Sequence, residues 1–190
     1  MEKKAIHTIH LNEEQPKRRF RDSRESVETS IQEEKKSMQG ISERNAINEK
    51  TLNQLFELGS KGDSLEKANN YQEALDVYLE IYNLIESAPY LSISYVKNAV
   101  YRMSIIYSKL KDHQKDVEIL ERYITDLDAE NKCKLDKYLK LYPNEESKIR
   151  DGYNGGYIVE IGYDSIPFFD SSKYKLRLEK ARKKLAKQNK

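Results

Sequence analysis

The stretch NNYQEALDVYLEIYNLIESAP, Asn69 to Pro89, decides the fold. Within it Tyr71, Ala74, Leu75, Tyr78, Leu79, Tyr82 and Ile85 recur at i, i+3, i+4 and i+7, the spacing that puts apolar side chains on one face of an α-helix. The two asparagines suit a turn and a helix start, and Pro89 marks the end. Upstream, Leu52, Leu55, Phe56 and Leu58 form a stripe that begins near Thr51 and continues to Leu65 past the small residues Gly59 and Gly62. Downstream, Val96, Val100, Met103, Ile106, Tyr107 and Leu110 form a third stripe, and Val117, Leu120, Ile124 and Leu127 a fourth. The turn KDHQK, Lys111 to Lys115, separates these two. Four amphipathic helices joined by short turns predict two antiparallel pairs and an all-α domain.

Small and large residues alternate in these pairs as packing requires. Gly62 and Ser104 are small where the helices of one pair approach, Ala74 is small at the next crossing, and Tyr71, Tyr78 and Tyr107 fill grooves. The first unit runs Leu58, Gly62, Leu65, Asn69 to Tyr71, Ala74 and Tyr78. The second runs Val100, Met103, Ser104, Tyr107, Lys111 to His113, Val117 and Leu120. This order resembles the tetratricopeptide repeat (TPR), a helix-turn-helix unit of about 34 residues. YQEALDVYLEIY and RMSIIYSKLKDH are similar to helix pairs of bacterial proteins of that family, and the likeness spans about residues 51–127.

The resemblance implies a short array of antiparallel helical hairpins that presents a groove, lined by the first helix of each pair, to a protein or peptide. By position the groove holds Asp63, Glu66 and Lys67 from the first repeat, and Asn98, Tyr101, Arg102, Ile105 and Lys109 from the second. Arg102 and Lys109 are placed to hold a carboxylate. Two departures stand out. Tyr71 and His113 hold equivalent positions 42 residues apart, so the first repeat carries extra residues, assigned to longer helices around ESAPYLSIS, Glu86 to Ser94. Asp116 stands where the first repeat has Ala74, unless the register shifts by one to Val117.

One helix pair leaves apolar surface bare, so such an array needs caps. Leu135, Tyr138, Leu139 and Tyr142 predict a fifth helix from about Ala129 to Leu141, stopped by Pro143. Tyr174, Leu178, Ala181 and Leu185 give a narrow stripe on a final helix dense in Lys and Arg, which suits a solvent-facing cap. Between them lies DGYNGGYIVEIGYD, Asp151 to Asp164. Asn154-Gly155 reads as a tight turn, and Tyr157, Val159 and Ile161 alternate with Ile158 and Glu160 as in a strand, so a short hairpin or structured loop is expected. The wedge Ile166, Phe168 and Phe169 then either packs over the helical layer or forms a partner site.

The chain thus divides into residues 1–50, mostly disordered or partly helical; 51–142, the helical domain; 143–170, the loop or hairpin; and 171–190, the basic cap. Residues 1–50 have one aromatic, Phe20, and too few apolar side chains to offset the entropy of ordering. Val27, Ile31 and Met38 allow a transient helix over 23–39, and AIHTIHL, Ala5 to Leu11, alternates like a short edge strand. A hydrophobic fraction of 37% against 35% charged favours thin helical layers over a deep-cored enzyme. No apolar run approaches the roughly 18 residues of a bilayer span, and no signal core opens the sequence. Cys133, the single cysteine, reads as a half-buried thiol in a reducing compartment. These features together predict a cytoplasmic protein.

No reaction signature emerges. His7 and His10 lie three apart with His113 distant, Glu160, Asp164 and Asp170 have no nucleophile beside them, and DGYNGGY lacks a phosphate-binding Gly-Lys-Ser or Gly-Lys-Thr. The expectation is a non-enzymatic interaction scaffold or adaptor with no cofactor and no metal. Two alternatives stay open. The last twenty residues carry nine Lys or Arg against one Glu, a net +8 in a chain of +2, which suits a nucleic-acid-associated accessory protein. A regulatory subunit acting through its N-terminal segment is the other. Homo-oligomerisation is open, and no membrane partner is expected.

Overall fold

The computed structural model describes residues 14–188, with side chains from 29 onward, and the chain divides into two units, Met1–Ile47 and Asn48–Lys190. Helix α1, Glu14–Lys67, runs through both. In the first unit every described side chain is at the surface, Ile31, Met38 and Ile41 included, and the helix expected over 23–39 falls inside α1. The expected edge strand at Ala5 to Leu11 lies outside the described residues.

The second unit continues with α2, Tyr71–Glu86, α3, Lys97–Lys109, and α4, His113–Leu141. It ends with α5, Glu146–Gly155, strands β1, Ile158–Ile161, and β2, Asp164–Pro167, and helix α6, Ser172–Gln188. The fold is therefore mostly helical with one small antiparallel hairpin near the C-terminus, as expected. Thr51, where order was expected to begin, is the first buried side chain among those described. No helix among the described residues is long and apolar enough to cross a membrane.

The α1–α2 and α3–α4 turns share a geometry. Asn69 and Lys111 both take positive φ, 61° and 60°. After each, a backbone N–H reaches five residues back, Asn70 to the Leu65 carbonyl and Asp112 to the Tyr107 carbonyl, both at 2.9 Å. That bond closes a helix end through a left-handed residue and satisfies carbonyls that the helix leaves open. The Asp112 side chain also accepts from the Lys115 N–H and so caps α4.

The main core lies where α2, α3, α4 and α6 meet. Ala74, Tyr78 and Tyr82 of α2, Val100, Met103 and Ile106 of α3, and Leu120, Tyr123 and Leu127 of α4 are almost fully buried there. Leu55, Leu58 and Leu65 of α1 pack at its margin, and Tyr174, Leu178 and Ala181 of α6 close another side. The Tyr82 hydroxyl donates to Asp126 at 2.5 Å, tying α2 to α4, and Arg122 lies over the Tyr82 ring at 4.2 Å while pairing with Glu86.

Several expectations need correction. The helix expected from about Ala129 to Leu141 is not separate: α4 runs unbroken through Ala129, because DLDAENKC contains neither Gly nor Pro to stop it. The residues around Glu86 to Ser94, expected to lengthen helices, do not. Instead α2 ends at Glu86, and a loop with a 3-10 turn, Ile93–Val96, carries them, its first turn held by Glu130 through Ser92 and the Ile93 N–H. Asn154-Gly155 is not the hairpin turn but the last turn of α5, which Gly156 ends in the left-handed region at φ 63°. The hairpin turns at Gly162-Tyr163. Cys133 is exposed, not half-buried.

A second core forms beneath the hairpin. Val159, Ile161, Ile166 and Phe168 pack with Leu135 of α4 and Ile149 of α5. Gly152 makes this possible, since a Cβ there would fall 1.9 Å from a Val159 methyl. The wedge packs inward as Ile166 and Phe168, with Phe169 half-buried on the main core. Tyr157 is 49% exposed and takes no part in this core.

Candidate functional site

A cleft of about 290 Å³ lies between the last turns of α1 and the start of α3. Tyr78 and Ile81 of α2 line it, Asp63 stands on the α1 wall, and Asn98 and Arg102 stand on the α3 wall. Two aromatics at its edge are open to solvent, Phe56 at 75% and Tyr95 at 47%. Burying such rings is the largest apolar gain available to a ligand here.

The polar side of the cleft is pre-assembled. The Tyr78 hydroxyl donates to Asp63 at 2.8 Å, and burial, reinforced by that bond, pushes the phenol far above its ordinary value, so it stays a neutral donor. Glu66 is buried and pairs with Arg102 at 2.7 Å and with Lys109 at 3.9 Å. Burial opposes the charge on Arg102, but the Tyr78 hydroxyl and Glu66 outweigh it and hold the guanidinium firmly protonated. Arg102 and Lys109 thus already have a carboxylate in Glu66, from within the chain.

The eight residues expected to line a groove therefore separate. Asp63, Asn98 and Arg102 line the cleft, and Glu66 and Lys109 form the ion-pair cluster with Arg102. Lys67 is exposed in the last turn of α1, and Ile105 is half-buried on α3. Tyr101 faces α6, where Lys173 and Arg177 lie over its ring at 4.2 and 5.1 Å. Phe56 and Tyr95 were not among the eight. Phe56 counted as part of the apolar stripe although it directly follows Leu55, an offset of one that points it away from the stripe; no sequence signal marks Tyr95.

The basic helix turns much of its charge onto its own chain. Arg177 Nε donates to the Ser104 hydroxyl, which in turn donates to the buried Asp116. Lys175 pairs with Asp128 at 2.9 Å, Arg182 with Glu121 at 2.6 Å, and Lys184 reaches the Ser108 hydroxyl at 2.6 Å. Asp116 thus stays in register as the counterpart of Ala74, with its charge met by Ser104 and α6.

The remaining titratable candidates are dispersed. Tyr142 donates to Asp164, Ser165 to Glu160, and the Ser172 N–H to Asp170, so each carboxylate has its own partner. His113 opens α4, while His7 and His10 lie outside the described residues. Among the described residues no three His, Cys, Asp or Glu side chains gather as a metal site would require.

A mostly helical protein with a solvent-open aromatic cleft is the class that fold and site define. Comparison with protein-family models gives no match, and comparisons with curated proteins and with solved structures give none either.

Proposed function

We propose that this protein is a non-enzymatic interaction scaffold, built from two tetratricopeptide-like helix pairs and a terminal cap, whose α1–α3 cleft receives a peptide segment of a protein partner. Support for the repeat reading comes from the matching turns at Asn69 and Lys111, spaced as the sequence units are. The observation that carries the binding reading is the cleft itself, with Phe56 and Tyr95 exposed on its edge above fixed polar groups. An apolar side chain of the ligand seats between the rings. The exposed amide of Asn98 exchanges hydrogen bonds with the ligand backbone, and Asp63 and Arg102 set polarity at the far end.

A random peptide library displayed on phage and panned against the full chain tests this reading. Enriched peptides should share an apolar or aromatic anchor and lose most of their binding to Phe56→Ala and Asn98→Ala. Enrichment indifferent to both substitutions, or none at all, would remove the cleft as the binding site.

A further inference from the structure

A second groove, of about 720 Å³, lies between α1 and α2, with no α6 residue in its lining. Its floor is apolar: Leu79 is 39% exposed, and Leu58 and Leu84 are half-buried. Its rim carries Glu57, Asp76 and Glu80 against a single lysine, Lys61. No ion pair among the described residues engages any of these three carboxylates.

Elsewhere on the same core, α6 displays what such a surface accepts. There α6 buries the narrow stripe Tyr174, Leu178 and Ala181, while Lys175 and Arg182 on its flanks reach Asp128 and Glu121 of α4. An apolar strip between carboxylates is thus covered by a basic amphipathic helix. The α1–α2 groove repeats the strip and the carboxylates without the helix. We infer that it docks a basic amphipathic helix of a partner protein, its apolar stripe on Leu58, Leu79 and Leu84 and its Lys or Arg flanks on Glu57, Asp76 and Glu80. A second copy meeting groove to groove would set like charges against each other and is disfavoured.

The test adds a fluorescently labelled peptide of sequence Ser171–Lys190, a basic amphipathic helix whose own site is already filled in the chain, to the full-length protein and follows anisotropy. Saturable binding is expected that weakens about tenfold or more in the Asp76→Lys, Glu80→Lys double variant and in Leu79→Asp, and that a peptide with every Lys and Arg changed to Glu does not show. The substituted side chains are exposed, and circular dichroism checks that the variants remain folded. Phe56→Ala should leave this binding unchanged, which separates the groove from the α1–α3 cleft. Absence of saturable binding, or binding indifferent to the groove variants because the peptide displaces α6, would overturn the inference. So would a dimer of the unmixed chain that Leu79→Asp dissolves, which would put a second copy in the groove.

Discussion

The two helix pairs meet the same steric demand with different chemistry. In the first pair Gly62 leaves room for the Tyr78 ring, which a Cβ at that position would approach to 2.6 Å, and Ala74 is wholly buried. In the second pair the matching positions are Ser104 and Asp116, both buried, both polar and hydrogen-bonded to each other. The first arrangement packs ring against glycine, with the Tyr78 hydroxyl held by Asp63 and Glu66 of α1. The second draws on Arg177 of α6 to finish its hydrogen bonding. The comparison teaches why a third helix pair need not follow the second: its polar side is already sealed by a single charged helix.

The largest effect is expected where the first pair depends on shape. Tyr78→Ala should lower unfolding free energy by about 3 kcal/mol in a denaturant titration, because a cavity opens opposite Gly62. Tyr78→Phe, which keeps the ring and loses the hydroxyl's bonds to Asp63 and Glu66, should cost about 1 kcal/mol. Equal losses in the two would mean that the hydroxyl, not the ring, holds the pair together.

The second pair should respond to polarity instead. Asp116→Ala strands the Ser104 hydroxyl beside Arg177 and should cost about 2 kcal/mol. Burial pushes the Asp116 carboxyl above its ordinary range, against the opposing pull of Ser104 and Arg177. The folded chain therefore takes up that proton before the unfolded chain does. Its contribution is present below the ordinary carboxyl pKa and is lost as pH rises through the raised value. Asp116→Asn keeps an acceptor without the charge, so it should melt at or above the natural chain at neutral pH, with the gap narrowing as pH falls. A gap that widens on acidification would show that the charge is stabilising.

The smallest effect probes what the pairs share. Lys111 occupies the left-handed region at a cost in Cβ crowding that glycine avoids, so Lys111→Gly should raise stability by up to about 1 kcal/mol. Asn69→Gly should gain less, since asparagine tolerates that region better. Reversed signs in thermal melts would show that the two turns are not equivalent.

What could be read from the sequence followed from periodicity. The stripe of Tyr71 to Ile85 and the packing of Gly62 on Tyr78 are local or nearly so, and both are present. The joining of two expected helices into α4 was signalled by the absence of any breaker near Ala129, a negative signal weaker than the apolar spacing around it. At Asn154-Gly155 a strong turn pair lost to the helix before it, because the next residue, Gly156, was equally able to take positive φ. The site was only partly legible. The resemblance to a repeat selected Asp63, Asn98 and Arg102, which line the cleft, but the pairing of Arg102 with Glu66 joins residues on separate helices and depends on tertiary packing.

The proposal that the α1–α3 cleft binds peptide is tested most directly by nuclear magnetic resonance. A library-selected peptide is titrated into the isotopically labelled full chain, and backbone and side-chain amide shifts are followed. The proposal predicts that the largest changes fall at Phe56, Tyr95 and the Asn98 amide, with the hairpin residues Val159 and Ile166 unmoved. Changes centred on the hairpin or on α6, with the cleft silent, would contradict it.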